Sequence, residues 1–151
     1  MAIAWAGQAG HVNDLNRSIG LEQLTPLFAQ TGLSFVSIQR DLRDGDRDTL
    51  ARHANVTHIG DALNDMADTA AVATLVDLTV AVDTAVVHLA GALGRPVWIM
   101  LPFSPDWRWG LDQEHSPWYP QARLFRQPVL RDWAKVVAAV GDALAAFARE
   151  A

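Results

Sequence analysis

Between Asp77 and Gly94 the chain passes directly from a strand with no polar face into an alanine-rich helix, and few folds accept that junction. The strand segment DLTVAVD is apolar at successive positions instead of alternating, the pattern of a central parallel strand covered by helices on both sides. Elsewhere, short β-branched runs alternate with longer runs rich in alanine and leucine, as in βα units. The expected strands cover residues 2–6, 34–39, 56–59, 78–82, 97–101 and 123–125, and the expected helices about residues 21–29, 47–54, 66–75, 84–93 and 133–148. The fold class that follows is α/β: a Rossmann-like, doubly wound, mostly parallel sheet of about six strands with helices on both faces.

Helix punctuation agrees with that reading. Gly94-Arg95-Pro96 ends the fourth expected helix with a glycine at the C′ position and a proline just beyond, and Gly32 is expected to end the first in the same way. Asp132 is the expected N-cap of the last helix, where Leu130, Trp133, Val136, Val137, Val140 and Leu144 recur at helical spacing and predict one apolar face.

At 151 residues the chain has the length of one domain, residues 1–151. A net charge of −5 argues against nucleic acid as a partner, because neutralising a phosphate backbone needs a basic face. Cysteine is absent, which excludes disulfide scaffolds, thiolate zinc sites and cysteine nucleophiles. The start MAIAWAG reads as a strand and not as a signal peptide. The longest apolar stretches, such as AVVHLAGALG, fall short of the ~20 residues of a membrane span, so no span is expected and the expected location is cytoplasmic.

In a parallel sheet of this kind, ligands bind beyond the carboxyl ends of the strands. The corner Asp83-Thr84 ends a buried strand and opens a helix, whose first amides suit a phosphate. Thr84 and His88 lie four residues apart, so the hydroxyl and the imidazole are expected to flank that site together. Asp83 as an N-cap and His88 as a core histidine are the structural alternatives. Ala85, Ala90, Gly91 and Ala92 are expected to keep the helix slim against the sheet.

The first turn, GQAGHVNDLNRSIG, lacks the G-x-G-x-x-G of dinucleotide sites, which disfavours a nicotinamide oxidoreductase. Gly7 and Gly10 there are expected to allow a sharp bend or a close approach to a ligand. Asp44-Gly45-Asp46 can be read as a DxD metal motif, but mixed arginine and aspartate around a glycine is ordinary loop composition, and no metal site is expected. Trp107, Trp109, Trp118 and Tyr119 sit in a proline-rich loop with Arg108. Exposed indoles there would stack on sugar rings or bases; buried ones would stiffen the loop, and packing is the favoured reading.

The segments WAGQAGHVNDLNRSI, DMADTAAV, VDTAVVHLAGALGRPVWIMLPFSPDWRW and SPWYPQARLFRQ resemble the C-terminal half of bacterial GT-B glycosyltransferases related to the heptosyltransferase family, glycosyltransferase family nine. They are most similar to the version found behind tetratricopeptide repeats, and the resemblance covers almost the whole chain. It implies a nucleotide-sugar donor as substrate, no further cofactor, and two Rossmann-like domains face to face, of which this one holds the donor. By position, Asp83, Thr84 and His88 match the family's D-T/S-x-x-x-H corner at the donor phosphates and sugar. Asn13, Arg17 and Ser18 fall in the segment that contacts the phosphates, and Asp65, Met66 and Gln39 fall where the base is held. Where heptosyltransferases often carry a lysine and a D-T-G corner, this chain has Arg17 and Ala85.

The expected function is therefore the donor-binding half of a metal-independent glycosyltransferase. An acceptor-binding domain and probable tetratricopeptide repeats are its expected partners, and no catalytic base is assigned in this chain. The competing class is a non-catalytic nucleotide-binding or protein-interaction domain that keeps the same half-fold.

Overall fold

The computed structural model describes residues 1–150; Ala151, the last residue of the expected domain, lies outside the described residues. Six strands, β1 (Ala2–Ala4), β2 (Phe35–Ser37), β3 (Val56–His58), β4 (Thr79–Val82), β5 (Val97–Leu101) and β6 (Ala122–Arg126), form one sheet in the order β3-β2-β1-β4-β5-β6. Every strand pairing in it is parallel, so the sheet is an α/β Rossmann-like one. Strand order reverses between β1 and β4, which opens a crevice beyond their carboxyl ends.

The helices are α1 (Asp14–Arg17), α2 (Leu21–Phe28), α3 (Asp46–Ala51), α4 (Met66–Leu75), α5 (Ala85–Ala92) and α6 (Trp133–Glu150). Alternate residues of the central strands feed two cores. Ile3, Trp5, Val80 and Val82 pack with α2, α3 and α6, whereas Ala2, Ala4 and Ala81 pack with α4 and α5. The doubly apolar DLTVAVD run follows from this: all of β4 is buried. On α6, Trp133, Val136, Val137, Val140 and Leu144 face the core as expected, but Leu130 precedes the helix and is exposed. Asp132 accepts from the Lys135 amide and caps α6. No helix among the described residues is long and apolar enough to cross a membrane.

Local differences from the sequence reading have physical causes. Helix α2 ends at Phe28, short of Gly32, whose positive φ of 80° serves the turn that leads to β2. Pro26 inside α2 removes the amide that would bond the Glu22 carbonyl, and the Thr25 hydroxyl donates to that carbonyl instead. Helix α1, a single turn, was not expected from the sequence and lies in the segment between β1 and α2.

The first strand ends at Ala4, short of the expected residue 6, and Trp5 just beyond it is completely buried. Its indole N–H donates to Asp46 Oδ2 at 3.0 Å, and the same oxygen accepts from the Arg43 amide at 2.9 Å. Asp46 is buried while Asp44 is exposed, so the Asp44-Gly45-Asp46 segment does not present two free carboxylates to a metal. Asp46→Ala should leave the buried indole N–H without a partner and lower unfolding stability by about 1–3 kcal/mol. Asp44→Ala should stay within about 0.5 kcal/mol of the parent. Urea denaturation of the two variants checks both expectations.

Candidate functional site

A cavity of about 360 Å³ lies at the crevice where the strand order reverses. Its walls come from five places that the topology brings together: the end of β1 through Gln8, Arg17 at the end of α1, the residues after β2 from Ile38 to Asp41, the start of α4, and the Thr84 corner after β4. Among the residues expected at a ligand site, Arg17, Gln39, Asp65, Met66 and Thr84 all line this one cavity.

Thr84 is the N-cap of α5 in extended geometry, but its side chain makes no cap hydrogen bond. Its Oγ1 is buried and has no hydrogen-bond partner among the described residues. Ala85 and Val86 follow in the cavity wall, and their amides stand outside the helix's own hydrogen-bond ladder. These amides carry the positive end of the helix dipole.

Arg17 reaches the same cavity from the end of α1. Its Nη1 donates to the Asp83 carbonyl at 3.1 Å, while its Nε is buried without a partner. No carboxylate lies within ion-pair distance of it among the described residues. Gly7 makes this placement possible, since a Cβ there would collide with the Arg17 guanidinium. Gly10, by contrast, faces open space.

Ser18 and Asn13 stand apart from the cavity. The Ser18 hydroxyl donates to Asp14 Oδ1 at 2.7 Å and accepts from the Gly7 amide at 3.0 Å, so it shapes the turn that carries Arg17. Asp14 also pairs with Arg43. Asn13 is exposed, precedes α1 and makes no side-chain cap bond.

Gln39 lines the cavity, but its amide is fully engaged. Oε1 accepts from the Trp5 and Ala6 amides, each at 3.0 Å, and Nε2 donates to the Ala6 and Asp41 carbonyls. Both acceptor and both donor positions are filled, so Gln39 fastens β1 to the end of β2 instead of offering a polar group to a base. Asp65 caps α4, with Oδ1 accepting from the Ala67 and Asp68 amides, and Met66 beside it is half exposed. The loop ahead of it is fixed by Asp68, whose carboxyl is held below its ordinary pKa by bonds from the Asn64 amide and side chain.

Asp83 and His88 form a second arrangement. His88 Nε2 lies 3.7 Å from Asp83 Oδ1, and its Nδ1 lies 3.0 Å from the Tyr119 hydroxyl. The imidazole stacks on the buried Trp109 at 5.1 Å between centroids. Tyr119 comes this close because Gly91 has no side chain: a Cβ there would lie 2.5 Å from the Tyr119 ring. Thus Gly91 makes room for Tyr119, while Ala85 and Ala92 are exposed and do not thin the helix against the sheet. Thr84 and His88 therefore do not flank one cavity. Thr84 faces the cavity with Arg17, and His88 lines a smaller recess with Trp107, Arg108, Trp118 and Tyr119.

Gln8, one of the polar residues that follow the first strand, lines the cavity, whereas sequence reasoning missed Arg40, Asp41 and Thr69 in its wall. The position of Arg40 and Asp41 after β2 was available as a signal, but a charged loop looks the same in sequence whether or not it faces a crevice, and Thr69 lies one turn inside α4. Among the described residues no group of three or more His, Asp or Glu side chains is placed to hold a metal ion.

The fold and the crevice define an α/β domain of Rossmann-like form. Over 84 residues the chain is 37% identical to the Protein FlbA of Caulobacter vibrioides, a stretch that makes up 56% of this chain. It is 14% of that protein's length. No family model matches the chain, and no solved structure matches it.

Replacing Gln39 with Ala should leave the Trp5 and Ala6 amides and two carbonyls without their buried partner. The expected loss of unfolding stability is about 1–3 kcal/mol, read by thermal or urea denaturation. Asn13→Ala should leave stability within about 0.5 kcal/mol.

Proposed function

We propose that the domain binds the nucleoside diphosphate of a sugar donor at the Thr84 corner and is the donor-binding half of a metal-independent GT-B glycosyltransferase. The observation that carries this is the company Arg17 keeps. A guanidinium without a carboxylate, a buried unpartnered threonine hydroxyl and the first amides of α5 converge on one cavity. Such a set of donors and positive charge fits a phosphate, whose oxygens only accept. The diphosphate would lie between Arg17 and the Ala85 and Val86 amides. The base would extend toward Asp65 and Met66, where Met66 offers an apolar surface and Asp65 keeps one carboxylate oxygen outside the cap.

In transfer, negative charge grows on the departing diphosphate. Arg17 and the α5 amides offset that charge from fixed positions, so little reorganisation accompanies the step, and the Thr84 hydroxyl, closed off in the free domain, would turn to join them. His88, held between Asp83 and Tyr119, would sit toward the sugar and not at the phosphates. The acceptor would be held by a second Rossmann-like domain, accompanied by tetratricopeptide repeats as in the proteins that the sequence resembles.

Calorimetry with UDP, GDP and ADP in the presence of EDTA tests the reading, with NAD as the comparison for a dinucleotide site. At least one nucleoside diphosphate should bind. Arg17→Ala should weaken that binding by roughly 10- to 100-fold, the worth of a charge-assisted hydrogen bond. Thr84→Val separates binding from folding. Because the hydroxyl has no partner in the free protein, the valine should leave stability unchanged or slightly raised while weakening the diphosphate complex. Loss of stability in Thr84→Val with unchanged nucleotide affinity would contradict the assignment.

A further inference from the structure

The loop after β5 contains two large aromatic side chains that the packing of the domain does not use. Trp107 is 72% exposed and Trp118 is 58% exposed, whereas Trp109 between them in sequence is completely buried. The sequence reading of this loop as packed therefore holds for Trp109 and, in part, for Tyr119, which packs beside it. The two exposed indoles meet edge to face at 6.1 Å and 88°, forming a right-angled corner.

This corner is held in place by groups that lie behind it. The Trp118 indole N–H donates to the Arg108 carbonyl at 3.1 Å. Asp106 accepts from the Arg108 amide and pairs with the Arg108 guanidinium at 2.7 Å. Arg126 on β6 donates to the carbonyls of Trp109, Gly110 and Gln113, and burial pushes its pKa below the usual arginine value. Asn16 ties the loop to the first turn through the Ser104 carbonyl. Exposed aromatic surface held rigid in this way loses little conformational entropy when it takes up a ligand.

Beside the indoles lies a recess of about 290 Å³ lined also by Arg108, His88 and Tyr119. The surface thus combines broad apolar faces with planar polar groups, of which the Arg108 guanidinium lies over one face of Trp107 at 5.3 Å from the ring centre and leaves the other face open to a ligand. A pyranose ring has the matching pair of surfaces: a face of C–H groups that packs on an indole, and equatorial hydroxyls that bond to guanidinium, imidazole and phenol. The recess also adjoins the phosphate corner through Asp83, whose carboxylate approaches His88 and whose carbonyl accepts from Arg17.

We propose that the Trp107–Trp118 corner is a saccharide subsite that takes one pyranose ring against its indole faces. This rests on the donor-site reading only for the case in which the sugar arrives attached to a nucleotide.

The experiment uses the 151-residue chain with ¹⁵N-labelled tryptophan, which gives one indole signal for each of six residues. Buried Trp5 and Trp109 serve as internal references. The probes are UDP, GDP and ADP; UDP-glucose, UDP-N-acetylglucosamine and GDP-mannose; and methyl glucosides, mannosides and N-acetylglucosaminides. Trp107 and Trp118 should shift with sugar-bearing probes and not with the bare nucleoside diphosphates. A shift with the methyl glycosides alone identifies a free or acceptor saccharide, and a shift only with nucleotide sugars identifies the donor's own glycosyl group.

Trp107→Ala, which removes an indole whose N–H has no hydrogen-bond partner among the described residues, should weaken sugar binding about tenfold while leaving the bare diphosphate affinity as in the parent. Trp118→Phe, which keeps an aromatic face, should weaken it less. If the diphosphates fail to bind and methyl glycosides still move the two indoles, the donor-site reading falls and the saccharide subsite stands. Silence of both indoles toward every sugar-bearing probe overturns the subsite. So do shifts that follow protein concentration without any ligand, which mean that the corner is covered by another copy of the chain.

Discussion

One contact spans the crevice at the reversal point: the Arg17 guanidinium bonded to the Asp83 carbonyl. β1 and β4 are neighbours in the sheet, but the chain beyond them runs into separate loops. Arg17 rejoins those loops, and it reaches Asp83 only because Gly7 leaves room for its side chain. Ser18, Asp14 and Arg43 fix the turn from which it extends, and Gln39 fixes the end of β1 beneath it. The result is a cation at a cavity wall with a carbonyl as its partner and, among the described residues, no carboxylate within ion-pair distance. An arginine bridge of this kind stays electrostatically open to a second, anionic partner.

Much of this architecture was legible in the sequence because the relevant signals are local. A run whose centre, Val80-Ala81-Val82, is apolar at successive positions reads as a covered strand, and an immediate helix start at its end points its first amides beyond the sheet. The positions of Thr84 and Arg17 at one cavity follow from that rule about strand ends. Gln39 was different. Its role is set by Trp5 and Ala6, more than thirty residues away in sequence, and a glutamine after a strand carries no local mark of such partners. Thr84 and His88 show a related limit. Four-residue spacing places two side chains on one side of a helix, but the Thr84 hydroxyl makes no bond to the helix amides, although its backbone has nearly the geometry in which Asp65 caps α4, and His88 is engaged by Tyr119 and Asp83 instead.

The aromatic loop could not be settled from composition, because burial of an indole depends on what packs behind it. Gly91 admits Tyr119, Tyr119 and His88 enclose Trp109, and Arg126 gathers the loop's carbonyls; Trp107 and Trp118 are left on the outside. The two surfaces flank the same corner, with Thr84 on one side and His88 on the other. That division separates the groups suited to phosphate from those suited to a sugar, and it gives each a test that the other does not affect.

The central claim is that the Thr84 corner with Arg17 is an anion site for a nucleoside diphosphate, and amide chemical-shift mapping tests it most directly. In EDTA, titration with the tightest-binding nucleoside diphosphate should move the backbone amides of Gly7, Ala85 and Val86 most, and should move them little in Arg17→Ala. Shifts confined to residues 42–48, away from the cavity wall, or no shifts at all, would contradict the account.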